Sequence, residues 1–393
     1  MSNPYSLLVH SQYVIGRGAI AYLSQLKKER AVVVYDGRIV GEELQKKIIG
    51  LIAEGGGECR FIADIRNEPF FSDIMKAAEE LGDFQPDLII AIGGGSVMDT
   101  AKALWLFYEH PELAFQDAFI PYGLPETTGK AQIVAIPTTS GTGSETTSAA
   151  VFINQDTKAK NLMLGNNLIP AYAILDANFT DTLPDVIAAH TGMDALAHAM
   201  EAAVCVVASP MVISLAVSSA LDILENLPAS TDKNAPDATK LKARETCHIA
   251  ASLAGLVITN SCAGLAHGFD QPGPCFNLPH GLVCGLLLPY TTAFHSPHPQ
   301  YEKIAKRLGY TGTEKELCQH LVDHLWDFAT GLGIAHSFRE LGIDEKTYFE
   351  QVPSFIESAG KAVATKLSPK VPSVEEATAL FAACYYGEKP VVK

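Results

Sequence analysis

The chain has 393 residues, 48% of them apolar and only 19% charged, with a formal net charge of −15. That length suits two domains with sizeable cores, and the composition excludes an intrinsically disordered chain. An acidic surface without any Lys/Arg run excludes nucleic acid as a partner, since such binding draws on cationic contacts with phosphate.

Met1-Ser2-Asn3-Pro4 lacks the basic and apolar regions of a signal peptide, and no apolar run reaches about 18 residues without polar interruption. A cytoplasmic protein without a membrane partner is expected. Leu7 to Ile15 alternates with His10, Ser11 and Gln12 and reads as an exposed strand. It runs into Gly16-Arg17-Gly18-Ala19-Ile20-Ala21, which fits G-x-G-x-x-A, with Asp36 20 residues after Gly16. A dinucleotide fingerprint requires a buried first strand, so this match is weak. Asp36 is retained as a partner for the adenosine ribose hydroxyls, because it ends an independent apolar strand, Ala31 to Tyr35. A carboxylate there favours NAD over NADP by repelling a 2′-phosphate.

Val40 to Glu54 carries apolar residues at helical spacing, Cys59 to Ala63 reads as a strand, and Ser72 to Leu81 as a helix. Leu88 to Ile92 and Ile133 to Ile136 are apolar on both faces, as buried parallel strands are. Strand–helix alternation predicts a Rossmann-like α/β domain with a parallel sheet over residues 1–185. Beyond about Pro184 the texture becomes helical: Ile187 to Val206, Met211 to Leu224, Lys240 to Ile258, Leu282 to Pro289, Leu317 to Leu332 and Val374 to Tyr385. Residues 186–393 are therefore expected to form an all-α domain.

Leu88 to Ile92 leads straight into Gly93-Gly94-Gly95-Ser96, and Val97 to Ala103 should be helical. A strand, a glycine loop and a helix start together make a phosphate cradle: the backbone approaches closely and free N–H groups point at the anion. A second polar loop, Pro137 to Glu145, follows the next buried strand. Its hydroxyls, Thr138, Thr139 and Thr142 among them, can bond phosphate, ribose or a nicotinamide amide.

In the second half, Asp194 and His198 lie four apart on one helix face, a spacing that chelates a divalent cation. His267 and His280 are each flanked by glycine. One carboxylate and three imidazoles suit Fe²⁺ or Zn²⁺. His320 and His324 share the same spacing but sit in a charged amphipathic helix and read as solvated surface. None of the eight cysteines forms C-x-x-C, so they read as buried free thiols in a reducing compartment.

Together these motifs resemble the iron-containing (group III) alcohol dehydrogenases. The match rests on Gly93 to Ser96 with Asp99 and Lys102, the Pro137 to Glu145 loop, Gly192-Met193-Asp194-Ala195-Leu196 with His198, and Pro279-His280-Gly281. The resemblance implies a dehydroquinate synthase-like architecture with the active site between two domains. It implies Asp194, His198, His267 and His280 as metal ligands. It puts Asp36, Asn67, Gly94, Gly95, Ser96, Val97, Asp99, Thr138, Thr139, Thr142, Thr147 and Lys160 around the dinucleotide. It also implies a homo-oligomer, a dimer or larger. Family members often carry a further histidine a few residues after the third ligand. Here Asp270 falls nearest that place, and it is the candidate, beside His267, for proton relay.

The expected reaction is hydride transfer between NAD(H), ahead of NADP(H), and a small alcohol or aldehyde whose oxygen is bound by the metal as Lewis acid. A metal- and NAD-dependent lyase or cyclase of the dehydroquinate synthase type is the first alternative. It needs basic side chains for an anionic substrate, and none lies within the Asp194/His198/His267/His280 motifs. A nucleotide-binding protein without turnover is the second.

Overall fold

The computed structural model describes residues 5–65, 71–153 and 160–393, and the chain divides into two compact units. The first spans Val9–Leu183. The second comprises Pro184–Lys393 joined by the N-terminal segment up to Leu8. That segment was expected in the first domain. It joins the helical unit because the Asn260 side chain binds the Leu8 amide and carbonyl at 2.6 and 2.9 Å.

The first unit is built on six parallel strands: β1 (Gln12–Ile15), β2 (Arg30–Tyr35), β3 (Glu58–Asp64), β4 (Leu88–Gly93), β5 (Gln132–Pro137) and, at the end of the unit, Tyr172–Leu175, which is β8. An antiparallel hairpin, β6 (Ala149–Ile153) and β7 (Lys160–Leu164), lies between β5 and β8 in the chain. The sheet order is β1-β8-β5-β4-β2-β3. Strand residues alternate between two apolar layers. Ala31, Val33, Leu88, Ile90 and Ile92 pack with Ile48 and Ile52 of α1 (Glu42–Glu54). Val32, Val34, Ile89 and Ala91 pack with α2 (Phe71–Phe84) and α3 (Gly95–Glu109) on the other side. Both faces are covered, which is why β4 reads as an unbroken apolar run.

This layering positions the site. The helix after β2 covers one face and the helix after β4 covers the other, so the chain diverges at the carboxyl ends of these neighbours. Such a switch point opens a crevice where ligands bind. Register brings Tyr35 beside Ile92 and Gly93 beside Pro137, so Asp36, the glycine loop and the Thr138 loop share one edge.

The second unit is helical: α4 (Asp185–Val204), α5 (Pro210–Thr231), α6 (Asp237–Thr259), α7 (Leu265–Phe269), α8 (Pro272–Phe276), α9 (His280–Phe294), α10 (Pro299–Arg307), α11 (Glu314–Gly331), α12 (Glu345–Lys361), α13 (Val363–Lys366) and α14 (Val374–Tyr386). α4 is buried on nearly every side from Gly192 to Val204 and packs against α5, α6 and α9. α5 is long and apolar enough to cross a membrane, yet Val212, Ala216, Ala220, Ile223 and Leu227 make it a core helix of this unit. Gly281 explains how α9 meets α4: a Cβ there would lie 2.1 Å from the His190 carbonyl oxygen, so only glycine allows the approach.

Candidate functional site

The second unit gathers four of the residues singled out in the sequence. Asp194 and His198 project from α4, His267 from α7 and His280 from the first turn of α9. His267 Nε2 and His280 Nε2 each lie 3.4 Å from Asp194 Oδ1, and His198 Nε2 lies 4.0 Å from it. The His198 and His267 rings stack with centroids 4.3 Å apart. Asp194 is 2% exposed, and its Oδ1 and His267 Nε2 have no hydrogen-bond partner among the described residues. Buried polar atoms are rarely left so, because each unmade bond costs about 1–3 kcal/mol. Donor atoms converging on an unfilled point are what a divalent cation would satisfy.

Two carboxylates hold the imidazoles from behind. Glu201 lies seven residues after Asp194 on the same face of α4. Its Oε1 accepts the Ala266 amide at 2.5 Å, and its Oε2 sits 2.5 Å from His267 Nδ1. Asp270 Oδ2 contacts His280 Nδ1 in the same way. An ionised carboxylate only accepts, so each Nδ1 carries a proton and each Nε2 is left facing Asp194. The glycines pack against this shell. A Cβ at Gly264 would come within 3.0 Å of the Glu201 side chain, and one at Gly273 within 2.1 Å of Asp270 Oδ1.

The electrostatics fit the geometry. Burial raises the Asp194 carboxyl, but His198, His280 and His267 outweigh it and hold the group well below the usual carboxylate range. Burial lowers His198 to about 4 against the pull of Asp194, so its imidazole is neutral at pH 7, as a ligand must be. Burial also opposes charge on His267, yet Cys284, Glu201 and Asp194 lift it well above its ordinary value. The surroundings favour positive charge at this point.

Asp270 is fully buried and engages His280. Asp270, the candidate for proton relay, thus stands behind His280, with its carboxylate against the ring's Nδ1. Sequence reasoning missed Glu201. Glu201 carried a signal in its spacing from Asp194. Cys284, read as a packing thiol, lies four residues after His280, and its Sγ is 3.7 Å from His280 Nε2. Phe269 and Cys384 in the chain's helical half are core residues at 1% exposure, with Phe269 stacked on Phe381. His320 stacks on Tyr310, and the Tyr310 hydroxyl meets His324 Nδ1 at 3.1 Å.

In the first unit, Gly94 caps α3 with no side-chain bond to its first amides. The helix opens as a bare N-terminus beside exposed Ser96. A Cβ at Gly95 would approach Thr142 Cγ2 to 2.9 Å, and one at Gly94 would meet Thr139 at 3.4 Å, so the two loops form one cradle. Thr138 is fully buried, and its Oγ1 has no partner among the described residues. These features fit a dinucleotide phosphate.

Other expected cofactor contacts turn inward. Val97 packs its side chain on Gly93, and its amide donates to Gly94 O. Asp99 accepts from Ser144 Oγ at 2.6 Å and from the Val151 amide at 2.9 Å. Thr147 accepts from Lys102 Nζ, through its carbonyl at 2.9 Å and its hydroxyl at 3.1 Å. Burial lowers Lys102 to about 8 against Asp99 and Glu145. Val97, Asp99 and Thr147 thus lock the loop to α3. Asp36 sits at the expected edge, 7% exposed, with Arg38 Nη2 at 2.6 Å from its carboxylate. Asn67 lies outside the described residues, as does the side chain of Lys160, whose backbone opens β7. The Gly16/Gly18 motif is closed to anions, because Asp176 already accepts the Gly18 and Ile20 amides.

Residues 10–177 match the model of iron-containing alcohol dehydrogenase, and residues 188–385 match that of the Fe-containing alcohol dehydrogenase family, C-terminal. The chain belongs to the iron-containing alcohol dehydrogenase family. It is 35% identical to an NADPH-dependent butanol dehydrogenase of Clostridium saccharobutylicum, over 95% of this chain and 96% of that protein. It is 32% identical to an aldehyde-alcohol dehydrogenase of Streptococcus pneumoniae, matching 95% of this chain but 45% of that longer protein. An iron-containing alcohol dehydrogenase from Thermococcus thioreducens superposes with a TM-score of 0.88 at 30% identity, covering 98% of this chain and 100% of that one. Membership makes this chain an oxidoreductase, an alcohol dehydrogenase of the iron type acting on a small alcohol or aldehyde. The dehydroquinate synthase-type alternative is not favoured.

Proposed function

We propose that Asp194, His198, His267 and His280 hold one divalent ion, Fe²⁺ or Zn²⁺, and that Gly94, Gly95, Ser96, Thr138, Thr139 and Thr142 hold the dinucleotide. The observation that carries this reading is Asp194 Oδ1, buried without a partner and facing three imidazoles. When bound, the ion supplies a Lewis acid for the substrate oxygen, and the nicotinamide takes or gives the hydride. The protein's own part is orientation. Glu201 and Asp270 aim the rings of His267 and His280, and the apolar packing around α4 keeps the ligand face dry. The His280 side chain keeps 41% of its surface and marks the open side of the set.

NAD(H) is proposed ahead of NADP(H), because Asp36 ends β2 at the ligand edge and repels a 2′-phosphate. Arg38 tempers this preference by pairing with that carboxylate. Asp36→Gly should raise kcat/KM for NADPH relative to NADH by about tenfold, worth roughly 1.4 kcal/mol. We also place the enzyme in the cytoplasm, where eight unbridged cysteines are stable, and as a homo-oligomer whose size light scattering would measure.

A panel of aldehydes with NADH and NADPH, run on protein loaded with Fe²⁺ or Zn²⁺, tests the proposal. Metal-dependent consumption of NADH with simple aldehydes is expected. Turnover that survives complete removal of the ion contradicts it.

A further inference from the structure

Lys102 lies in the middle of α3 and is the only buried lysine among the described residues. Taking an ammonium out of water is costly unless acceptors surround it. Its Nζ donates to the Thr147 carbonyl at 2.9 Å, the Thr147 hydroxyl at 3.1 Å and the Ala149 carbonyl at 2.7 Å. All of its donors are therefore spent on one short stretch of chain. Asp99, three residues earlier on the same face of α3, accepts from the Ser144 hydroxyl and the Val151 amide. Asp99 and Glu145 are the charged neighbours of the ammonium. These contacts fall at one end of the polar loop. The other end is held by the sheet, where the Thr138 amide donates to the Gly93 carbonyl at 3.0 Å. Between the two ends lie Thr139 and Thr142, whose side chains close on Gly94 and Gly95.

We infer that Lys102 is a positioning residue for the dinucleotide: by holding Thr147 and Ala149 it sets the width of the cradle between Gly94–Gly95 and Thr139–Thr142. The inference rests on the cradle reading above. α3 supplies both the bare N-terminus that faces the phosphate and, two turns on, the cation that fixes the far end of the opposing loop. Lys102 thus acts through the loop and not by touching the cofactor. Without its ammonium, Thr147 and Ala149 lose their shared donor, and the loop is free to move away from α3.

The test uses the full-length, zinc-loaded protein as wild type, Lys102→Met, Lys102→Arg and Thr147→Val. Dissociation constants for NADH and NADPH are read from nucleotide fluorescence, and amide hydrogen exchange over residues 138–149 is followed without nucleotide. Lys102→Met should weaken binding of the preferred nucleotide about tenfold and speed exchange in the loop, with zinc content and kcat at saturating nucleotide little changed. Lys102→Arg keeps a cationic donor and should recover most of the affinity. Thr147→Val removes one of the bonds and should weaken binding about threefold. A folded Lys102→Met that binds nucleotide as tightly as the wild type overturns the inference and leaves the cradle intact. A parallel fall in nucleotide affinity, zinc content and kcat assigns Lys102 to folding alone and also overturns it. If Lys102→Met does not fold, Thr147→Val decides, and unchanged affinity there overturns the inference. A wild type that binds neither nucleotide overturns the cradle reading and the inference together.

Discussion

Asp194 is the residue on which the second unit's chemistry converges, and its neighbours divide into two kinds. His198, His267 and His280 turn a nitrogen toward it, whereas Glu201 and Asp270 grip two of those rings from the far side. Removing a gripping carboxylate should weaken the ion without abolishing binding. Glu201→Gln and Asp270→Asn are each expected to lower zinc affinity about 10–100-fold, read by competition with a chelator. If Asp270 were instead a proton relay, Asp270→Asn would depress kcat with zinc affinity unchanged. At this scale the sequence was informative only where the spacing was local. Asp194 and His198 are one turn apart, so their shared face is visible in the chain. Glu201 lies on an equally legible face, but nothing in a helix pattern marks a buried acid as a ring support. That His267 and His280 meet Asp194 depends on tertiary packing, and only their glycine neighbours and the family resemblance pointed to it.

Elements place these residues through close contacts that only glycine permits. Gly281→Ala would drive a methyl into the His190 carbonyl at the crossing of α4 and α9. Backbone cannot retreat as a side chain can, so the expected loss is about 3 kcal/mol of stability or more, measured by denaturant unfolding, together with loss of bound ion. Gly95→Ala meets a threonine methyl instead. Because the displaced Thr142 lines the cradle, the substitution should weaken NADH binding about tenfold, roughly 1.4 kcal/mol, and cost no more than about 1 kcal/mol of stability. Long apolar strands and long amphipathic helices were readable in the chain because their periodicity extends over enough residues. β8, four residues long, and α7 and α8, five each, are shorter than the pattern that would reveal them. α12 carries Pro353 inside an otherwise helical stretch, which masks its period.

The whole molecule follows the division seen in the sequence, a parallel α/β unit and a helical unit, with the first few residues transferred to the second by Asn260. Stability of the helical unit should depend on acid. His295 is 7% exposed, its Nε2 contacts the Lys370 carbonyl at 3.1 Å, and burial lowers it to about 4. The unfolded chain therefore binds a proton at higher pH than the native one does. The contribution of neutral His295 is full above its unfolded value near 6.5 and is lost as pH falls through 6.5 toward 4, a change of up to about 3 kcal/mol. Unfolding of the metal-free protein should show this slope, and His295→Gln should flatten it. A slope of the same steepness in His295→Gln would assign the effect elsewhere.

The central claim is that one divalent ion sits on Asp194 and its imidazoles. Metal analysis of purified wild type and Asp194→Asn, paired with alcohol-dependent NADH formation on the same samples, tests it most directly. The account predicts close to one ion per chain and turnover in the wild type, with neither in a folded Asp194→Asn. A folded Asp194→Asn that retains its ion and its turnover would contradict it.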